Sequence, residues 1–180
     1  MQVWIPVQPH ETKEVLSMAV SVRHVGCVAL PALRLIGRTG TRWADWWANS
    51  WFDALEHHTV PPCDPDYVDC YRTCAGQEEA WIGMLFPADA PVPEGFQSTE
   101  LPAGDYALCY LRGREDDPGL YGPAARMLCE QAMAEQSMHP VPGLTLVRYN
   151  CPRFTTPDAE GGVTVGYLLP LKGYDEHAPG

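Results

Sequence analysis

The chain has 180 residues, enough for one well-packed domain or for two half-sized units sharing a core. Hydrophobic residues make up 46% and charged residues 19%, so there is ample material to bury and general disorder is excluded. With 12 Lys and Arg against 23 Asp and Glu the formal net charge is -11, which argues against direct nucleic-acid binding and against attraction to anionic membranes. The same acidity either draws cations or simply keeps an apolar protein in solution.

Residues 1–17 read as a leader. Its stretch QVWIPV echoes the last predicted strand, VGYLLPL, with Pro in the penultimate place of both. It is either an extra edge strand or the remnant of an upstream copy. From Val20 to Arg38 the chain is rich in Val, Leu and Ile and is interrupted by Gly26 and Pro31, which predicts a strand, a bulge or bend, and a second strand piece ending at Gly37. Between Thr41 and His57 the period becomes helical. Arg42, Asp45, Asn49, Asp53 and Glu56 share a narrow arc, and Trp43, Trp46, Trp47, Trp51, Phe52 and Leu55 fill most of the rest, which predicts one helix buried on most of its circumference.

Beyond Pro61-Pro62, strands are expected at Tyr67 to Cys74 and Glu79 to Phe86, with a turn at Ala75-Gly76 and a loop from Pro87 to Gly95. A strand from Asp105 to Arg112 follows. A helix is then expected from about Leu120 to Met138, with Ala124, Leu128 and Ala132 on one side, and final strands from Leu144 to Tyr149 and Val163 to Leu171. Residues 174–180 read as a frayed tail. The order strand, helix, strand, strand thus occurs twice, in halves of about 20–86 and 105–171. That predicts a pseudo-twofold domain with a groove where the halves meet.

Seven cysteines, an odd number, follow an N-terminus with no signal-peptide pattern, so reduced thiols and a cytoplasmic location are expected. The gaps among Cys63, Cys70 and Cys74 do not match a zinc knuckle, and the cysteines read as small buried hydrophobes; no metal is called for. His57 and His58 stand near a helix end and suit its dipole. No apolar run reaches the roughly 18 residues that would span a bilayer.

Four stretches, SVRHVGCVALPALRLIGRTG, PEGFQSTELPAGDYALCYLRG, LVRYNCPRF and VGYLLPLKG, together resemble the GyrI-like family, also met as the effector-binding domain of bacterial transcription regulators. The resemblance runs in order over residues 18–173. It implies an α+β fold of two strand-helix-strand-strand units in one curved antiparallel sheet, with a ligand groove on one face and helices on the other. It also implies a small hydrophobic, often cationic, ligand and no cofactor. A chain of this length leaves no room for a separate DNA-binding domain, so a stand-alone sensor or scavenger in drug or toxin response is expected. The carboxylate that commonly answers the ligand's charge is missing: the matching positions hold Val147 and either Thr164 or Gly166.

Glu79 then becomes the candidate carboxylate. On a strand it shares a face with Trp81, Gly83 and Leu85, so that face offers a counter-ion or base, a stacking platform and room for a ligand; otherwise Glu79 is a solvated strand end. Trp47, Trp51, Trp81, Tyr71, Tyr110, Tyr149 and Tyr167 complete the candidate binding set, each either groove-lining or core. A rival expectation, also carried by the resemblance, is hydrolysis of strained-ring genotoxic alkylators, with Glu79 and a groove Tyr or Trp in the site. Inhibition of a large partner such as a topoisomerase is a third reading, suggested by the family name and by acidity that could mimic nucleic acid; the acidic residues are scattered, and their densest run, Glu115-Asp116-Asp117, reads more simply as a loop. Oligomeric state leaves no mark in the sequence.

Overall fold

A computed structural model describes residues 19–150 and 152–171; the whole of the predicted leader, residues 1–17, and the predicted tail, residues 174–180, lie outside them. The described chain runs through strands β1 (Ser21–Leu30) and β2 (Leu33–Thr39), helices α1 (Trp43–Ala48) and α2 (Trp51–Glu56), and strands β3 (Tyr67–Cys74) and β4 (Gln77–Pro87). It continues with β5 (Gln97–Leu101), β6 (Gly104–Gly113), a 3-10 turn at Pro118–Leu120, helix α3 (Gly122–Glu135), β7 (Leu144–Tyr149) and β8 (Val163–Pro170).

All eight strands form one antiparallel sheet in the order β1-β6-β8-β7-β3-β4-β2-β5. The fold is α+β, with a curved, unclosed sheet. Its order is mirrored about the β7–β3 pair, which joins the two halves at the centre. The segment expected as one interrupted strand divides at Pro31 into strands that lie at opposite ends of the sheet: β1 pairs with β6 and β2 with β4 and β5. A proline without a backbone N–H is suited to the point where the chain leaves one ladder for another.

Strand alternation sorts the interior into two faces. On one face, Ala107, Cys109 and Leu111 of β6 and Val163, Val165, Tyr167 and Leu169 of β8 pack against Ala125, Cys129 and Met133 of α3. Ile36, Ile82, Met84 and Phe86 on the same face pack against Trp46, Phe52 and Leu55 of α1 and α2. The other face holds Leu35, Val68, Cys70, Trp81, Leu85, Leu101, Tyr106, Leu146 and Leu168, which come from strands at both ends of the sheet and from no helix. The curl of the sheet therefore buries that face with its own side chains.

Several local expectations are corrected. The predicted helix from Thr41 to His57 is two short helices, because Ser50 takes a left-handed conformation (φ 53) between them. Trp46, Phe52 and Leu55 are buried, but Trp47 is 58% exposed and Ala44 and Ala48 face solvent. On α3 the buried stripe is Ala125, Cys129 and Met133, one position on from the predicted one. The short edge strand β5 falls in a stretch where no strand was expected; only Thr99 and Leu101 of its five residues are buried. Of the cysteines, Cys70, Cys109 and Cys129 are buried, whereas Cys27, Cys63 and Cys74 are exposed.

Candidate functional site

A cavity of about 840 Å³ stands over the central β3–β7 pair. Its floor is Tyr67, Asp69 and Tyr71 of β3, Val147 and Tyr149 of β7 and Tyr167 of β8. One wall is Trp43 and Trp47 of α1 with Glu56 at the end of α2; the opposite wall is Tyr121 and Gly122 at the start of α3, with Glu115 above them and Phe154 and Thr155 behind. The helices thus stand on the cavity's own face of the sheet and form its sides, where the expectation had placed them behind the sheet. Among the lining residues there is no Lys, Arg or His, and three carry carboxylates.

Asp69 is the polar centre of the floor. It is 7% exposed, and both its oxygens accept hydrogen bonds: Trp43 Nε1 donates to Oδ1 at 3.0 Å and the Tyr149 hydroxyl to Oδ2 at 2.7 Å. Burial pushes the carboxyl up from its ordinary value to about 6, and the bonds from Tyr149 and Trp43 pull the other way by favouring the charged form. Burial, with Asp69 next in importance, also raises the Tyr149 phenol and lifts that of Tyr71 to about 12, so both stay protonated near neutrality.

Aromatic rings hold this centre in place. Trp43 meets Tyr149 edge-on at 5.0 Å, and Tyr149 meets Phe154 likewise at 5.0 Å. Tyr67 stacks on Phe52 at 3.8 Å, lies edge-on to Trp47 at 5.5 Å, and donates its hydroxyl to Glu56 Oε1 at 2.5 Å. Tyr167 donates to the Leu120 carbonyl at 2.9 Å, and Tyr121 to that of Glu115 at 2.9 Å. Rings restrained by their hydroxyls present rigid apolar faces at little entropic cost.

Of the sequence-predicted binding set, Trp47, Tyr71, Tyr149 and Tyr167 come together in this cavity. The other four do not. Glu79 and Trp81 point to the opposite face, where Trp81 is buried and donates Nε1 to Glu79 Oε2 at 3.1 Å. Trp51 packs edge-on to Trp46 and lies beneath the Arg38 guanidinium, 3.9 Å from the ring centre. Tyr110 is on the far face of β6, over Gly166 and 4.8 Å from the Arg153 guanidinium. The space foreseen at Gly83 belongs to the backbone: a Cβ there would lie 2.2 Å from the Ile36 carbonyl oxygen.

Asp69, Tyr67 and Tyr121 were not foreseen, and Trp43, which belongs to the same tryptophan cluster as Trp47, stood outside the candidate set. The available signal was the alternation in YVDCY, which puts Tyr67, Asp69 and Tyr71 on one face. The register completes it, because Val147, where the resemblance leads one to expect Glu, pairs directly with Asp69 across the β3–β7 ladder. A carboxylate is therefore present one strand over from the position where it was missing.

Neither a protein-family profile nor a curated protein matches the sequence. Solved structures do share the fold. The protein SAV2435, solved bound to tetraphenylphosphonium, superposes with a TM-score of 0.58 at 10% identity, over 86% of this chain and 98% of that one. EcmrR, solved as a complex with DNA, gives 0.55 at 9% identity, covering 84% of this chain and 58% of that one. A transcription regulation protein of Staphylococcus aureus gives 0.53 at 11% identity, covering 83% and 99%. At these identities the likeness is one of fold.

Proposed function

We propose that this chain binds a small, hydrophobic organic cation in the cavity over β3 and β7, and serves as a sensor or scavenger of such compounds. The observation that carries the reading is a buried carboxylate, Asp69, on the floor of an aromatic cavity whose lining has no basic residue. A cation entering this space gains from the charge of Asp69 in a medium of low dielectric and from the ring faces of Trp43, Tyr67 and Tyr149. Its apolar body gains roughly 25 cal/mol per Å² removed from water, less the costs of association. The shared fold with a protein solved bound to tetraphenylphosphonium supports a ligand of that chemistry.

The test is a fluorescence and calorimetric titration with tetraphenylphosphonium and, as a neutral body of similar shape, triphenylphosphine oxide. Saturable binding of the cation, stronger than that of the neutral compound and weakened about tenfold or more in Asp69→Asn, is expected. Equal affinities, unchanged in the variant, would remove Asp69 from the reading. Hydrolysis of a strained-ring electrophile would draw on Asp69 and Tyr149, since Glu79 lies on the other face; mass analysis of the recovered compound separates turnover from binding.

A further inference from the structure

Two carboxylates besides Asp69 line the cavity, and both belong to its rim. Glu56, exposed at the end of α2, is held by the Tyr67 hydroxyl. Tyr67 and Asp69 sit two residues apart on one face of β3, about 7 Å between backbone positions, and Glu56 is reached only at the far end of the Tyr67 ring. On the opposite rim is Glu115, also exposed, next to Tyr121 at the start of α3. Glu115 opens the acidic run 115–117, the densest in the sequence. Asp116 pairs with Arg114 at 3.0 Å, and Asp117 accepts from the Gly119 backbone at 2.8 Å, so those two charges are engaged locally; Glu115 is the member of the run that lines the cavity, where its backbone carbonyl accepts from the Tyr121 hydroxyl. Negative charge is thus arranged at two levels, one buried on the floor and one divided across the mouth, separated by aromatic side chains.

Building on the proposed binding of a hydrophobic cation, we infer that the cavity selects aromatic dications: compounds with two positive groups joined by a rigid planar spacer. One group sits against Asp69, the spacer lies between Trp43, Trp47, Tyr67 and Tyr149, and the second group reaches the mouth between Glu56 and Glu115. A monocation of the same body leaves the rim carboxylates unanswered. A flexible aliphatic polyamine satisfies the charges but leaves the ring faces without a partner and loses more conformational freedom on binding.

The experiment compares biphenyl carrying one trimethylammonium group with biphenyl carrying one at each end, titrated calorimetrically against the whole chain at low and moderate salt. Neither probe has an N–H, so the comparison reads charge alone. The dication is expected to bind about three- to tenfold more tightly, the range for a partly exposed charge pair. In the double variant Glu56→Gln/Glu115→Gln the ratio of the two affinities should fall towards one. The control variant Asp89→Asn/Glu94→Gln, which removes two exposed acids away from the cavity, should keep the ratio of the unaltered chain. A dication that binds no better than the monocation, or an advantage equally lost in the control, would overturn the inference while leaving the binding of hydrophobic cations standing. Failure of both probes and of tetraphenylphosphonium to bind would overturn the underlying reading as well.

Discussion

The Tyr149 hydroxyl donates to Asp69 Oδ2 at 2.7 Å, across the one strand pair that joins the two halves of the sheet. With Trp43 donating to the other oxygen, a buried charge is held in a fixed orientation at the base of an apolar cavity. Burial outweighs the pull of the two donors and leaves this carboxylate with a proton affinity well above the ordinary one, and the consequences can be measured.

Binding of a cation should depend on pH through Asp69. Its carboxyl titrates at about 6, so below that value the floor is neutral and the cation loses its counter-charge. Affinity for tetraphenylphosphonium should climb with pH by up to about tenfold per unit below the midpoint and level off above it. Triphenylphosphine oxide should show no such trend. A cation affinity that is flat from pH 5 to 8 would mean that Asp69 does not face the bound charge.

The same raised value has a cost in stability. A carboxyl whose folded pKa lies above its unfolded one binds its proton more tightly when folded, so its contribution falls as pH rises between about 4 and about 6. Relative to Asp69→Asn, the unaltered chain should lose on the order of 2–3 kcal/mol over that window. Urea denaturation of both proteins at pH 4 and pH 7 gives the difference. A constant gap between them would show that the side chain does not change protonation there.

Tyr149→Phe separates the hydrogen bond from the ring. The aromatic wall survives, but Asp69 loses a donor that favours its charged form, so the midpoint of the cation's pH profile should move upward. Leaving a buried oxygen without its partner should also cost about 1–3 kcal/mol at pH 7. Loss of stability with an unmoved midpoint would leave Tyr149 with a packing role alone.

The strands were legible because β-branched and aromatic residues cluster between turn signals: YVDCYRTC and LTLVRY are such runs, and the strand bounds found at Tyr67–Cys74 and Leu144–Tyr149 are those expected. Long-range placement was not. Nothing local in the run from Val20 to Arg38 says that its two strands pair at opposite ends of the sheet, and the polar QSTEL becomes a strand only because β2 offers it an edge. The site suffered from the same gap. Tyr149 and Asp69 are 80 residues apart and meet only through register, while Glu79 looked suitable because its strand face was chosen without knowing which face carries the helices and, between them, the cavity.

Glu79→Gln and Trp81→Phe therefore serve as negative tests. Both residues lie on the face that the sheet fills with its own side chains, where Trp81 packs among Leu35, Leu85 and Leu146. Glu79→Gln keeps an acceptor for the Trp81 N–H and should leave tetraphenylphosphonium affinity unchanged. Trp81→Phe should lower stability by about 1–3 kcal/mol, through lost packing, with ligand-induced quenching of the remaining tryptophans intact. A tenfold loss of cation affinity in Glu79→Gln would move the site to the other face of the sheet.

Gly83→Ala distinguishes room for a ligand from room for the backbone. Gly37 and Gly83 are directly paired between β2 and β4; a Cβ on Gly37 would lie 2.1 Å from the Ile82 carbonyl oxygen, and one on Gly83 2.2 Å from that of Ile36. Neither neighbour is the flexible end of a side chain, so a methyl group has to push the two strands apart. Those strands carry Ile36, Met84 and Phe86, which anchor α1 and α2 and, through Trp43 and Trp47, one wall of the cavity. Gly83→Ala should cost at least about 1–3 kcal/mol in urea denaturation, the range for overpacking. At temperatures where the variant stays folded, the affinity for tetraphenylphosphonium should fall far less than in Asp69→Asn, because no ligand atom touches Gly83. An unchanged unfolding midpoint with lost affinity would be the opposite result: the glycine would then be making space for a ligand on the face of Trp81, and the cavity over Asp69 would not be the binding site.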